Sequence, residues 1–235
     1  MSRGSSPLRQ GIRDALPLGI ALIAIGMALG ALARDAGLSW WLAALASAVV
    51  YAGPAQFLAM NQLAAGAATG TIVVTTFVAS LRYFLFALSL APHLAAAPRR
   101  RLPLLAHANA DGSYALVMER ARRRPEERRL DSYFLGTFVV SFCTWTAGAV
   151  AGSLLGGNLP ADLAYALAFA SPAIFITFLV PRLRAAPDWA AAAIAGAGAV
   201  GGAQVLPPGT ETLVALVAAA VVGGTWTWRR AQPSS

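Results

Sequence analysis

Charge is scarce in this chain. Only 12% of its 235 residues are charged, acidic residues number ten against eighteen basic ones, and lysine is absent, so every basic side chain is an arginine. Two histidines and a single cysteine complete a short list of metal-binding side chains. One cysteine excludes an intrachain disulfide framework. Two histidines with a lone cysteine do not make a zinc site. The glycine-rich stretch Gly196 to Gly202 lies in an apolar run, without the preceding strand and following lysine that a phosphate loop needs. No nucleophile with a positioned base is visible, so an enzyme is not expected, nor is a cofactor or a metal.

What is present is hydrocarbon. Apolar residues make up 57% of the sequence, well above the usual share in a water-soluble domain. A spanning helix needs about 20 mostly apolar residues. The chain offers seven candidate stretches: Ala15 to Ala33, Trp40 to Ala65, Thr71 to Ala91, Ser132 to Leu155, Ala161 to Val180, Trp189 to Leu206 and Thr212 to Trp228. The expected fold is an all-α polytopic transmembrane bundle, one integral membrane domain over residues 1–235. The polar start, Met1 to Asp14, leads into an apolar run without an obvious small-residue cleavage site, so a removed signal peptide is not expected.

The formal charge of +8 does not point to nucleic acid, because the arginines sit beside apolar runs. Half of them lie between Arg99 and Arg129. That placement predicts a cytoplasmic segment 93–131 in contact with anionic lipid, and the later loops alternate so that the C-terminus also falls inside. The first third fits less well. Three spans before the arginine-rich segment put the N-terminus outside, although Arg3, Arg9 and Arg13 favour the inside. Six spans result if Trp40 to Ala65 is re-entrant; eight result if Leu102 to Met118 enters the membrane.

Two apolar runs carry a proline near the middle, Tyr51-Ala52-Gly53-Pro54-Ala55-Gln56-Phe57 and Phe169-Ala170-Ser171-Pro172-Ala173-Ile174-Phe175. Proline lacks the helical N–H and crowds the carbonyl four residues back, so each run is expected to kink or split. Freed backbone groups in a bilayer need a partner or a wet cavity, and paired interruptions point to a transporter's binding site. Sliding the sequence by 118 positions superposes Pro54 on Pro172, Phe57 on Phe175 and Gly30 on Gly148. This predicts halves 15–92 and 132–206 as an inverted repeat, joined by 93–131 and followed by a last helix over 212–228.

Arg82 is the arginine buried within an apolar run. At the middle of a span it costs about 2.5 to 3.5 kcal/mol on insertion scales, so it should face a cavity or a carboxylate. Asp111, in the semi-polar patch from His107 to Asp111, is the candidate partner. Gln56 flanks Pro54 as a candidate donor, and Phe57, Phe84, Phe169 and Phe175 are candidate walls of an apolar pocket. Asp111, His107 and His93 are candidate proton carriers. Cys143 and Gly148, Gly152, Gly156 and Gly157 read as helix-packing residues. A channel, or a scaffold for a partner subunit, competes with a carrier at this point.

Three further stretches carry a resemblance: Tyr51 to Phe57, Leu81-Arg82-Tyr83-Phe84-Leu85-Phe86-Ala87-Leu88-Ser89-Leu90-Ala91-Pro92, and Ala108-Asn109-Ala110-Asp111-Gly112-Ser113-Tyr114-Ala115, continued through Ala168 to Phe175. In order and spacing the chain resembles the AzlC family of branched-chain amino acid permeases. Pro54, Tyr83 and the Ala110-Asp111-Gly112 trio depart from its common pattern. The resemblance implies the large subunit of a bacterial inner-membrane amino acid exporter, coupled to protons, that works with a small AzlD-type membrane subunit. Substrate contacts would then fall to Pro54, Gln56, Phe57, Arg82, Asp111, Pro172 and Phe175.

Overall fold

A computed structural model describes residues 6–156 apart from 125 and 128, residues 183 and 186–207, and positions 176, 180, 210–212, 214–215, 217–219 and 221–222. Among the described residues every regular element is helical. In chain order these are α1 (Pro7–Asp35), α2 (Trp40–Val50), α3 (Gly53–Ala64), α4 (Thr69–Leu90), α5 (Leu102–His107), α6 (Asp111–Arg123), α7 (Leu130–Leu155) and α8 (Ala186–Gly202), with short 3-10 turns at Ala91–Leu94 and Arg99–Arg101. Three of them, α1, α4 with the turn that follows it, and α7, are long and apolar enough to cross a membrane.

The spine is the pair α1 and α7. Glycines on both helices remove the Cβ atoms that would hold the backbones apart. A Cβ on Gly26 would lie 2.5 Å from the Trp145 carbonyl oxygen, and one on Gly148 would lie 2.5 Å from that of Ile23. Gly11 meets Tyr133 and Thr137, Gly19 meets Val140 and Thr144, and Gly30 meets Ala149 and Ser153. Residue numbers rise together along the seam, so the two helices are parallel. The inverted relation expected between halves 15–92 and 132–206 is therefore not met at their first helices. Pro172, Phe175 and the rest of the second proline run lie outside the described residues.

Polar contacts tie the starts of both helices to the arginine-rich segment. Arg101 pairs with Asp131, and Arg120 binds both Glu127 and Gln10. The Tyr133 hydroxyl donates to Asp14 at 3.0 Å. Exposed Glu119 joins Arg122 and Arg123, and the hydrogen bond from Arg123 holds its carboxyl below the ordinary range. The N-terminal arginines Arg9 and Arg13 thus share a side with the Arg99 to Arg129 segment, which corrects the expectation of opposite sides.

The cause is that Trp40 to Ala65 is not one rod. It divides into α2 and α3, of 11 and 12 residues, each about half the length needed to span. The break is at Tyr51, the sole non-glycine among the described residues with a positive φ (43°), and at Ala52, which is extended. Pro54 sits in the first turn of α3, where the missing N–H costs no bond, so it starts a helix rather than bending one. α3 then runs back. Gln56 lies against Trp145 in the middle of α7, while Gln62 accepts from Thr75 near the start of α4, well before α4 reaches Arg82.

A second hairpin enters from the opposite side. α5 starts beside the Arg99–Arg101 turn, the chain turns at Ala108 to Ala110, and α6 returns to the arginine-rich side at Arg120. The two corners meet inside the protein. Tyr51 and His107 pack at 5.7 Å between ring centroids, and both rings touch Phe138 and Phe142 of α7. Tyr51→Gly would relieve a left-handed strain of about 1 kcal/mol but remove an aromatic ring whose loss costs about 3 to 5 kcal/mol. The expected net destabilisation is about 2 to 4 kcal/mol on these terms, read as a lowered midpoint of thermal unfolding in detergent.

Two other expectations change. Cys143 is exposed and points away from the helix seam, because the packing face of α7 is carried by Ser141, Trp145, Gly148 and Gly152. Phe84 is likewise exposed on the outer face of α4. Gly148, Gly152 and Gly156 do pack against α1, and Gly157 lies outside the described residues.

Candidate central binding site

The two corners enclose a cavity of about 330 Å³. α1 contributes Leu18, Leu22 and Ile25; α3 contributes Gly53, Pro54 and Phe57; α6 contributes Asp111 to Ser113 and Ala115; α7 contributes Ser141 and Trp145. Its wall is mostly apolar. Two helix N-termini, those of α3 and α6, open onto it. No side chain caps α3, Pro54 has no N–H to give, and Gly53 and Pro54 line the cavity, so the uncapped first turn of α3 faces it. Such a terminus favours an anion.

Asp111 begins α6, where the same field favours its carboxylate. Its Oδ2 receives Arg82 Nη2 at 2.8 Å and the Tyr83 hydroxyl at 2.9 Å. Arg82 also donates to the Tyr83 oxygen at 2.9 Å, closing a triangle. Side-chain exposure is 29% for Arg82 and 12% for Asp111, so the pair is largely removed from water. Each partner keeps an unused group: Asp111 Oδ1 and Arg82 Nε are buried without a hydrogen bond. An unmet buried group of this kind costs about 1 to 3 kcal/mol, more when charged. Gln56 Nε2 is in the same condition. Gln56 Oε1 is held by Trp145 Nε1 at 3.1 Å, which fixes the amide beside Phe57, and the Phe57 ring packs edge-on to Trp145.

The structure therefore brings Pro54, Gln56, Phe57, Arg82 and Asp111 to one place from three separate elements. His107 stands next to this site, in the aromatic cluster and not in the cavity wall. His93 lies apart, exposed in the turn after α4. Pro172 and Phe175 lie outside the described residues. Sequence reasoning missed Tyr51, Tyr83, Ser141 and Trp145 as site residues. A signal was available for two of them: Ser141 and Trp145 stand four apart on an apolar span, so they share a face. Tyr83 carried none, since its role depends on Asp111 arriving from another helix.

Half-length helices meeting around a buried ion pair at membrane depth are the architecture of a membrane transport protein. The family comparison names the group. A family model described as "AzlC protein" matches residues 17–159, more than half of the chain, and the protein belongs to the AzlC family. It is similar to the "Inner membrane protein YgaZ" of Escherichia coli, at 29% identity over 75% of this chain and 74% of that one. An uncharacterised membrane protein of Archaeoglobus fulgidus is 30% identical over 77% of this chain and 78% of its own length. One from Helicobacter pylori is 29% identical over 73% and 75% respectively. No solved structure matches.

Proposed function

We propose that the protein is a secondary transporter that exports branched-chain and related apolar amino acids across the bacterial inner membrane, as the large subunit of a pair with a small AzlD-type partner. One observation carries this reading: the cavity sets an apolar wall beside Asp111, whose Oδ1 is buried and unused and whose Oδ2 binds Arg82, itself with an unused buried Nε. An amino acid zwitterion complements that arrangement. Its ammonium fits Asp111 Oδ1. Its carboxylate fits Arg82 Nε and the first turn of α3, and its aliphatic tail fits the surface made by Leu18, Leu22, Ile25 and Phe57. A cavity of about 330 Å³ lies at the small end of ligand pockets, which run from about 300 to 1,000 Å³.

The arginine-rich side is then cytoplasmic under the positive-inside rule, and so are both ends of the α5–α6 hairpin. Among Asp111, His107 and His93, the proton carrier is Asp111, because it alone reaches the cargo. Either a proton or the cargo ammonium satisfies Oδ1, which makes the two competitors for one atom. Efflux of labelled leucine from cells expressing the chain, with and without the small partner, tests the proposal. Faster efflux than from cells lacking the chain, with trans-stimulation by unlabelled leucine, is expected; equal rates in both preparations would reject it.

A further inference from the structure

A second cavity, of about 470 Å³, lies on the arginine-rich side of the same hairpin. Ala87 and Leu90 of α4, Leu105 and Ala106 of α5 and Phe134 of α7 form its apolar wall. Its polar lining residues are Arg99, exposed in the turn before α5, and Asn109 in the α5–α6 corner. The corner lies between the two cavities, since Asn109 lines one chamber while Ala110 and Asp111 line the other.

On one flank His107 packs against Tyr51, Phe138 and Phe142, and on the other the partition is tied to α4 by polar bonds. Asn109 Nδ2 donates to the Tyr83 carbonyl at 2.9 Å, and Asp111 is held by Arg82 and the Tyr83 hydroxyl. All of these fasten the corner to one turn of α4. Asn109 Oδ1 is buried without a partner, so the fastening is incomplete on its own side too. The chamber also matches the proposed cargo in charge order: a guanidinium at the mouth suits a carboxylate, and the small alanine walls leave room for an aliphatic tail.

Resting on the transport reading above, we infer that this second chamber is a loading subsite for the amino acid on the arginine-rich side, with Arg99 recruiting the carboxylate and the Asn109–Asp111 corner closing the way to the central cavity. Cargo that engages Asp111 Oδ1 binds the same side chain that fastens the corner to α4 through Oδ2.

Thiol labelling tests the subsite without relying on flux. In a Cys143→Ser background, Ala106→Cys reports on the second chamber and Ala115→Cys on the central cavity; Ala87→Cys replaces the first if that variant does not fold. Inside-out membrane vesicles are treated with an impermeant thiol reagent, with and without leucine. Leucine is expected to slow labelling of Ala106→Cys about fivefold, and Arg99→Gln to abolish that protection. Protection of Ala115→Cys with none at Ala106→Cys would overturn the subsite while leaving the central site standing. Protection at neither position would overturn both readings. Undiminished protection of Ala106→Cys in the Arg99→Gln variant would remove the role of Arg99, and with it the proposal as stated.

Discussion

Arg82→Gln is expected to destabilise the protein and stop transport, whereas Arg82→Gln combined with Asp111→Asn should recover the stability and not the transport. The single change leaves a carboxylate that is 12% exposed with only the Tyr83 hydroxyl for company. Removing one partner of a buried pair costs about 3 to 5 kcal/mol, against a near-neutral cost when both charges go together. Arg82 is 29% exposed, so solvent screening brings the loss here below that range, to about 2 to 3 kcal/mol. Thermal unfolding of the purified variants measures that part. Transport separates the rest. Each substitution removes a charge that the proposed zwitterion needs, and labelled-leucine efflux should fall at least about a hundredfold, the equivalent of about 2.7 kcal/mol, in both single variants and in the double. Arg82→Lys keeps the charge but lacks the fork that serves Asp111 and the cargo at once, so it should fold and still transport poorly. A double variant that transports at the normal rate would show that the pair is structural only.

A comparable loss of folded protein is expected from Gly148→Leu, with no charge involved. The nearest atoms to a new Cβ there are the Ile23 carbonyl oxygen at 2.5 Å and the Gly26 Cα at 3.1 Å, both backbone. Backbone cannot swing aside as the end of a side chain can. The helices must separate, and overpacking of a tight seam costs about 3 kcal/mol or more. The α1–α7 pair also carries Trp145, Ser141 and the phenylalanines on which both corners rest, so the site is lost with the seam. Gly196→Leu is the control. Among the described residues nothing lies within 4 Å of its Cβ, and exchanging glycine for a better helix former should leave stability equal or slightly raised. Yield of monodisperse protein after extraction, with the unfolding midpoint, measures both. Equal yields from the two variants would contradict the close α1–α7 packing.

Much of this arrangement was legible beforehand because its causes are local. A long apolar run has one stable form in hydrocarbon, and α1, α4 and α7 follow from that alone. Pro54 marked the interruption correctly, since proline favours the first turn of a helix as strongly as it disfavours the interior. Arg82 and Asp111 were legible as costly residues that need partners. The position of the break was not. It falls three residues earlier, at Tyr51, where the left-handed backbone is held by the rings of His107, Phe138 and Phe142 from distant parts of the chain. The direction of each half-helix was equally hidden, because an apolar run of 26 residues reads as one crossing unless its fold-back is seen.

Composition and order of residues alone determined that the chain lives in a bilayer, that its helices are interrupted, and that a guanidinium there needs a cavity or a carboxylate. Tertiary structure decided that the interruptions are the tips of two opposed hairpins, that α1 and α7 run parallel, and that the charges meet between those tips. The physical reason is range. Helix formation and the cost of buried charge depend on neighbours within a turn or two, whereas glycine contacts, ring packing and the Arg82–Asp111 bond join residues far apart in sequence.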